Sequence, residues 1–134
     1  ERVGDHAQNL AEAAEAAIES GQKVSPAAKK ELEHMQKTVL TLLDGSIEVF
    51  DKQELDVESA KRLNALEDEV DNLKDAYQMT HIERLNSGEC ETHAGMLFVN
   101  TLIDFERIGD HATNIAWAVK QKPTAEEMSA EAVE

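Results

Sequence analysis

The sequence predicts an all-α fold, an antiparallel up-down helical bundle, and three observations carry that prediction. Apolar residues recur at three- and four-residue spacing over long stretches, aromatics make up only 4% of the 134 residues, and there are only six glycines. An all-β domain needs β-branched and aromatic alternation broken by frequent turns, and this composition points away from it. At 41% apolar residues the chain can bury a core, and its length is that of one domain.

Four helices are expected in order. The first, α1, spans about residues 1–20; it is alanine-rich, carries Val3, Ala7, Leu10, Ala14 and Ile18 on one side, and stops at Gly21. Alanine favours the helix and keeps its apolar face narrow. The second, α2, spans about 26–51. Ser25 can cap its free N–H groups, and Pro26 takes the first helical position, where a missing donor costs nothing. Its predicted stripe is Leu32, Met35, Val39, Leu42 or Leu43, Ile47 and Phe50. The third, α3, spans about 56–86 with Asp56 as N-cap, and its seam is Ala60, Leu63, Leu66, Val70, Leu73 and Tyr77. It ends at Asn86-Ser87-Gly88. The fourth, α4, spans about 91–121 with Ala94, Leu97 or Phe98, Thr101, Phe105, Ile108, Ala112, Ile115 and Val119, and Pro123 stops it. Short connections make neighbours antiparallel. The bundle therefore covers residues 1–122, and 123–134 is expected to be an acidic, flexible tail.

Charge narrows the function. The chain holds 28 acidic and 13 basic side chains, a net charge of −15. So large an acidic excess repels a phosphate backbone, which argues against nucleic acid as a partner. It attracts cations, diffusely or where carboxylates converge. A single cysteine, Cys90, fits a reducing compartment. No apolar run approaches the roughly 18 residues of a membrane span. The chain opens in mid-pattern at Glu1, which suggests a piece of a longer protein.

One stretch occurs twice. Residues 1–13 read ERVGDHAQNLAEA and residues 106–118 read ERIGDHATNIAWA, identical at nine of thirteen positions. No helix face demands Arg, Gly, Asp, His and Asn in that order, so the repeat marks a duplicated unit or site. Each copy places a Glu and an Asp four residues apart, Glu1 with Asp5 and Glu106 with Asp110, on one helical face. Like charges at that spacing repel by a few tenths of a kcal/mol, and a solvated acidic face is their commonest explanation. Gly4 and Gly109 sit between the acids, and a small residue there admits a neighbouring helix or a ligand.

A third such pair, Glu67 with Asp71, lies on α3. Counted from Gly88, these acids stand 21 and 17 residues before the turn, and Glu106 and Asp110 stand 18 and 22 after it. In an antiparallel hairpin the two pairs reach one height. Four carboxylates converging there require a cation, so Glu67, Asp71, Glu106 and Asp110 are the predicted metal ligands. Carboxylate-only coordination suits magnesium, calcium or manganese, with iron if His111 or bridging oxygens contribute. One step past the seam residues Leu66 and Val70, the site is expected at a solvent-accessible groove rim. Arg107 and Arg2 either balance the acids or face an anion, and His111 and His6 are expected to hydrogen-bond behind the ligands.

Other constellations are weaker. Glu31-x-x-His34 is half of a di-iron motif that needs two such pairs, and Cys90, His93 and His81 lack zinc-site spacing. Asp44 and Glu48 are again four apart and are candidates to approach Glu1 and Asp5. No phosphate-cradling loop, dinucleotide-binding motif or nucleophile elbow is present in the sequence.

The doubled ERxGDHAxN[IL]A, the Glu67/Asp71 pair, and the stretch HIERLNSGEC followed by GMLFVNTLIDFERIGDHA together resemble a PhoU-type domain, most of all the C-terminal cytoplasmic domain of bacterial sodium/phosphate cotransporters. The resemblance covers all four helices. It implies a bundle of three-helix repeats that regulates phosphate uptake without being an enzyme, and metal clusters, commonly iron or zinc, on the paired acids. It also implies attachment to a phosphate transporter's membrane domain, in the same or an associated chain, on the inner face of the membrane. Carried over, Glu67, Asp71, Glu106 and Asp110 form one site, and Glu1 with Asp5 half of a second whose other acids would come from a helix upstream. α1 then corresponds to the last helix of a first repeat. Phosphate is a candidate ligand, assisted by Arg107, and a homo-oligomer is open. Two readings compete with this one: a hydrolase or oxidase using a carboxylate-bridged dinuclear metal, and a metal-free helical interaction module.

Overall fold

The computed structural model describes residues 4–5, 7–12, 25–88 and 92–119. The described residues are overwhelmingly helical: α1 at 4–5 and 7–12, α2 at Pro26–Lys52, α3 at Val57–Asn86 and α4 at Thr92–Trp117. The all-α bundle is thus the observed fold. The acidic tail, the second half of α1, and Glu1, Arg2, His6 and Cys90 lie outside the described residues.

Capping chemistry sets the helix ends. Ser25 adopts extended backbone (φ −60°, ψ 152°), and its hydroxyl accepts the Ala28 N–H at 3.2 Å, with Pro26 following in the first turn. Asp56 does the same for α3, its Oδ1 accepting the Ser59 N–H at 2.7 Å. α2 ends at Gln53, a left-handed residue (φ 52°) whose side-chain amide donates to the Phe50 carbonyl at 2.6 Å. That local bond satisfies one of the orphaned carbonyls of the last turn. α3 gives way to Ser87 and then Gly88, whose φ of 77° only glycine adopts without strain.

The three long helices pack on one another in every pairing, α2 on α4 most extensively. Met35, Val39 and Leu42 of α2, Leu63 and Val70 of α3, and Leu102 and Thr113 of α4 are almost wholly buried at the centre. Leu10 of α1 is partly buried against this core, whereas Ala7, assigned by periodicity to the same face, is exposed.

The stripe of α2 differs from its sequence reading at the C-terminal end. Ile47 and Phe50 are 43% and 50% exposed, and the helix instead buries Gly45, Ser46 and Val49. The observed sequence of burial, Met35, Val39, Leu42, Ser46, Val49, keeps one phase of the 3.6-residue period. Residue size drew the prediction to a neighbouring face; close approach of α3 decides otherwise. A Cβ on Gly45 would meet Leu63 Cδ2 at 3.0 Å and the Arg62 guanidinium at 3.1 Å. Ser46 tolerates burial because its hydroxyl donates to the Leu42 carbonyl one turn back, at 2.9 Å.

Candidate metal centre

Glu67 and Asp71 stand one turn apart on α3, and Glu106 and Asp110 one turn apart on α4. The antiparallel hairpin sets the two pairs against each other with crossed partners. Asp110 is the neighbouring charge that acts most strongly on Glu67, and Glu106 the one that acts most strongly on Asp71. That crossing is the register expected of residues counted symmetrically from the Gly88 turn. Asp71 is exposed and the other three are half-buried, so the acids lie along a groove rim above the seam of Leu63, Leu66 and Val70.

Their electrostatics follow from this crowding. Burial pushes the Glu67 carboxyl above its ordinary range, and the charges of Asp110, Asp71 and Asp68 push it further. Asp71 is raised by burial and then by Glu106 and Asp110. Asp110 is raised by burial and by Glu106 one turn earlier, with His111 and Lys74 acting in the opposite sense. Each of these three holds its proton more tightly than a free carboxylate, first because burial disfavours the charged form and then because other acids stand beside it.

Lys74 supplies part of that charge. Its Nζ lies 2.7 Å from Glu106 Oε2, with 23% of the lysine side chain and 21% of the glutamate exposed. The hydrogen bond to Glu106 raises the lysine above its ordinary range, and Asp75 and Asp71 add to the effect. The sequence reading overlooked Lys74. A signal was there, because Glu67, Asp71 and Lys74 fall at i, i+4 and i+7, one continuous helical stripe.

The remaining sequence candidates separate. Gly109 admits a helix: a Cβ there would meet Leu42 Cδ2 at 3.3 Å and Val70 Cγ1 at 3.7 Å. No ligand is needed to explain it. Arg107 is exposed, and its charge is not among those that act on Glu67, Asp71 or Asp110. His111 is half-buried and acts on Asp110. Of the second constellation, Asp5 is exposed and Glu1, Arg2 and His6 are outside the described residues. Glu48 forms a surface pair with Lys52 at 2.7 Å. Glu31 and His34 do not share a site, because Glu31 pairs with Arg84 and His34 meets the Tyr77 hydroxyl at 2.9 Å.

The donor chemistry of the groove fits a hard divalent cation, being oxygen-only, four-fold and short of countercharge. The side chains are not drawn together, however. Among the described residues no three His, Cys, Asp or Glu groups are gathered closely enough to hold a metal ion. Glu106 is turned onto Lys74.

No described helix is long and apolar enough to cross a membrane. Comparison with known proteins agrees with the helical architecture. The chain is 27% identical over 128 residues to a protein of Thermotoga maritima named phosphate-specific transport system accessory protein PhoU homolog 1. That alignment takes in 96% of this chain and 53% of the relative, so the chain spans about half the length of the curated relative it matches. No solved structure matches. The family model for the PhoU domain matches residues 32–119, roughly two-thirds of the chain and all of the α3–α4 groove, and the chain belongs to the PhoU domain family.

Proposed function

We propose that this chain is a metal-binding regulatory module of phosphate transport, acting without catalysis, and that its α3–α4 groove is the metal site. The observation that carries the reading is the set of four carboxylates that two antiparallel helices bring to one height, three of them raised by burial and mutual repulsion. A helix pair gains nothing from that arrangement by itself, since like charges one turn apart weaken each helix. Membership of the PhoU domain family and the name of the Thermotoga maritima relative support the link to phosphate transport.

Glu67, Asp71, Glu106 and Asp110 would hold the ion, with His111 beside Asp110. The ion is iron or zinc by the family resemblance, and manganese or magnesium are consistent with the oxygen donors. A bound metal would supply the missing positive charge and an electrophile to which a phosphate oxygen can bind. In the same proposal Arg107 assists an anion at the groove, and Glu1 and Asp5 belong to a second site. The doubled ERxGDHAxN[IL]A motif supports the finer placement, as the cytoplasmic PhoU-like part of a sodium/phosphate cotransporter at the inner face of the membrane. A membrane transporter domain is then the partner.

Elemental analysis of protein never exposed to chelator tests the site. The wild-type chain is expected to retain metal and the Glu106→Ala/Asp110→Ala variant to lose it. Equal metal content in the two would end the reading of this groove as a metal site.

A further inference from the structure

Lys74 stands where the groove needs positive charge. It follows Asp71 by three residues and Glu67 by seven, so it belongs to the same stripe of α3, and it reaches across to α4. Its ammonium lies 2.7 Å from Glu106 Oε2, with both side chains mostly covered, and its charge is felt by Asp71 and Asp110 as well. One tethered cation thus touches or influences three of the four carboxylates. It also claims one of them, Glu106, outright.

Formal charge sets the competition when a metal enters. Four ionised carboxylates and one ammonium sum to about −3, too negative to be at rest and attractive to a divalent ion. A metal ligated by Glu106 would bring two like charges against the ammonium within a few ångströms, in a partly desolvated groove where screening is weak. Both cations cannot hold the same carboxylate oxygen. The lysine stem is long and flexible, and the exposed rim gives its head a path to water.

We infer that Lys74 is a built-in competitor of the metal: it neutralises Glu106 in the metal-free protein, and metal binding requires its release. This rests on the groove being a metal site. The lysine then has two effects of opposite sign. It lowers metal affinity, because its contact with Glu106 must be broken, and it steadies the metal-free bundle, because it offsets repulsion between α3 and α4. Removal of the ammonium should therefore tighten metal binding and weaken the empty fold together. A purely structural ion pair would give only the second effect.

Titration of chelator-stripped full chain with manganese(II), followed by calorimetry, separates the possibilities. Lys74→Met is expected to bind at least about tenfold more tightly than wild type, within the usual range for two coupled events. Lys74→Arg, which keeps the charge, should stay near wild type. In EDTA the Lys74→Met variant should melt below wild type, and manganese should raise its midpoint by more. Lys74→Gln provides the same comparison should the methionine variant fold poorly. If wild type binds manganese and neither neutral variant binds it more tightly, the competitor role is overturned while the metal site stands. If neither wild type nor the neutral variants bind, both fall.

Discussion

Among the described residues two lysine or arginine ion pairs cross between helices, and they differ in the company they keep. Arg84 of α3 meets Glu31 of α2, its Nη1 2.6 Å from Oε1 and donating to Oε2 at 3.1 Å, with 10% and 14% of the side chains exposed. Lys74 meets Glu106 at 2.7 Å about three turns earlier on α3, with somewhat greater exposure. As isolated contacts they look alike. Around Arg84 the charges balance one to one, and the guanidinium also lies 5.2 Å from the centre of the Phe98 ring. Phe98 is stacked in turn on His81, centroids 5.0 Å apart. Around Lys74 one cation touches or influences three of four neighbouring acids. Charge balance, more than pairing distance, distinguishes the strut from the proposed site.

The strut should break hardest. Arg84→Met keeps much of the stem but leaves the Glu31 carboxylate covered and unpaired, and removing one member of a buried pair costs about 3–5 kcal/mol. Urea unfolding of Arg84→Met should show a loss of that size, with much of it recovered in Arg84→Met/Glu31→Gln. Equal losses in the single and double variants would mean that charge balance is not what this end of the bundle depends on.

The contrast between the two pairs also marks what the sequence could and could not disclose. Residues four apart on one helix are legible from spacing, and the Gly88 turn put Glu67 and Asp71 at the height of Glu106 and Asp110. Caps were legible for the same reason, because Ser25-Pro26 and Asp56 act within one turn. Pairs that reach between helices were not: Arg84 with Glu31 is separated by 53 positions, and Lys74 with Glu106 by 32. Their partners depend on helix rotation, the same quantity that misled the reading of Ile47 and Phe50. Gly109 could be seen as a place of close approach, but not that Leu42 and Val70 are what approach it.

His81 offers a subtler way to probe the balanced end. The residue is 2% exposed, its ring held between Phe98 and Gly95, where a Cβ would lie 2.8 Å from two ring atoms. Burial lowers its affinity for a proton, the Arg84 charge lowers it further, and Glu31 partly opposes them. In the unfolded chain histidine takes a proton near pH 6.5, so below that the unfolded state binds more protons than the folded one. The contribution of neutral His81 is therefore complete above about pH 6.5 and is lost as pH falls through the lower folded value. Melting between pH 7.5 and 5.5 should fall more steeply in wild type than in His81→Phe. Parallel curves would assign the acid sensitivity to other histidines.

At the unbalanced end the smallest substitution should act in the reverse direction. Asp110→Asn removes one negative charge from the groove, leaves the helix geometry intact, and leaves Lys74 with Glu106. In EDTA at pH 7 the loss of repulsion from Glu106, four residues earlier on the same helix, should stabilise the fold by a few tenths of a kcal/mol. With manganese the same substitution should cost stability relative to wild type, because a ligand that binds only the folded state stabilises in proportion to its affinity. A change of sign between chelator and metal is what a cation site requires, whereas a solvated acidic face gives the same small gain in both conditions. Arg84→Met should show no such reversal, since its loss does not depend on any ion. Parallel unfolding curves for the two variants, each with and without metal, therefore tell the two ends of α3 apart by the sign of the metal's effect rather than by the size of either mutation.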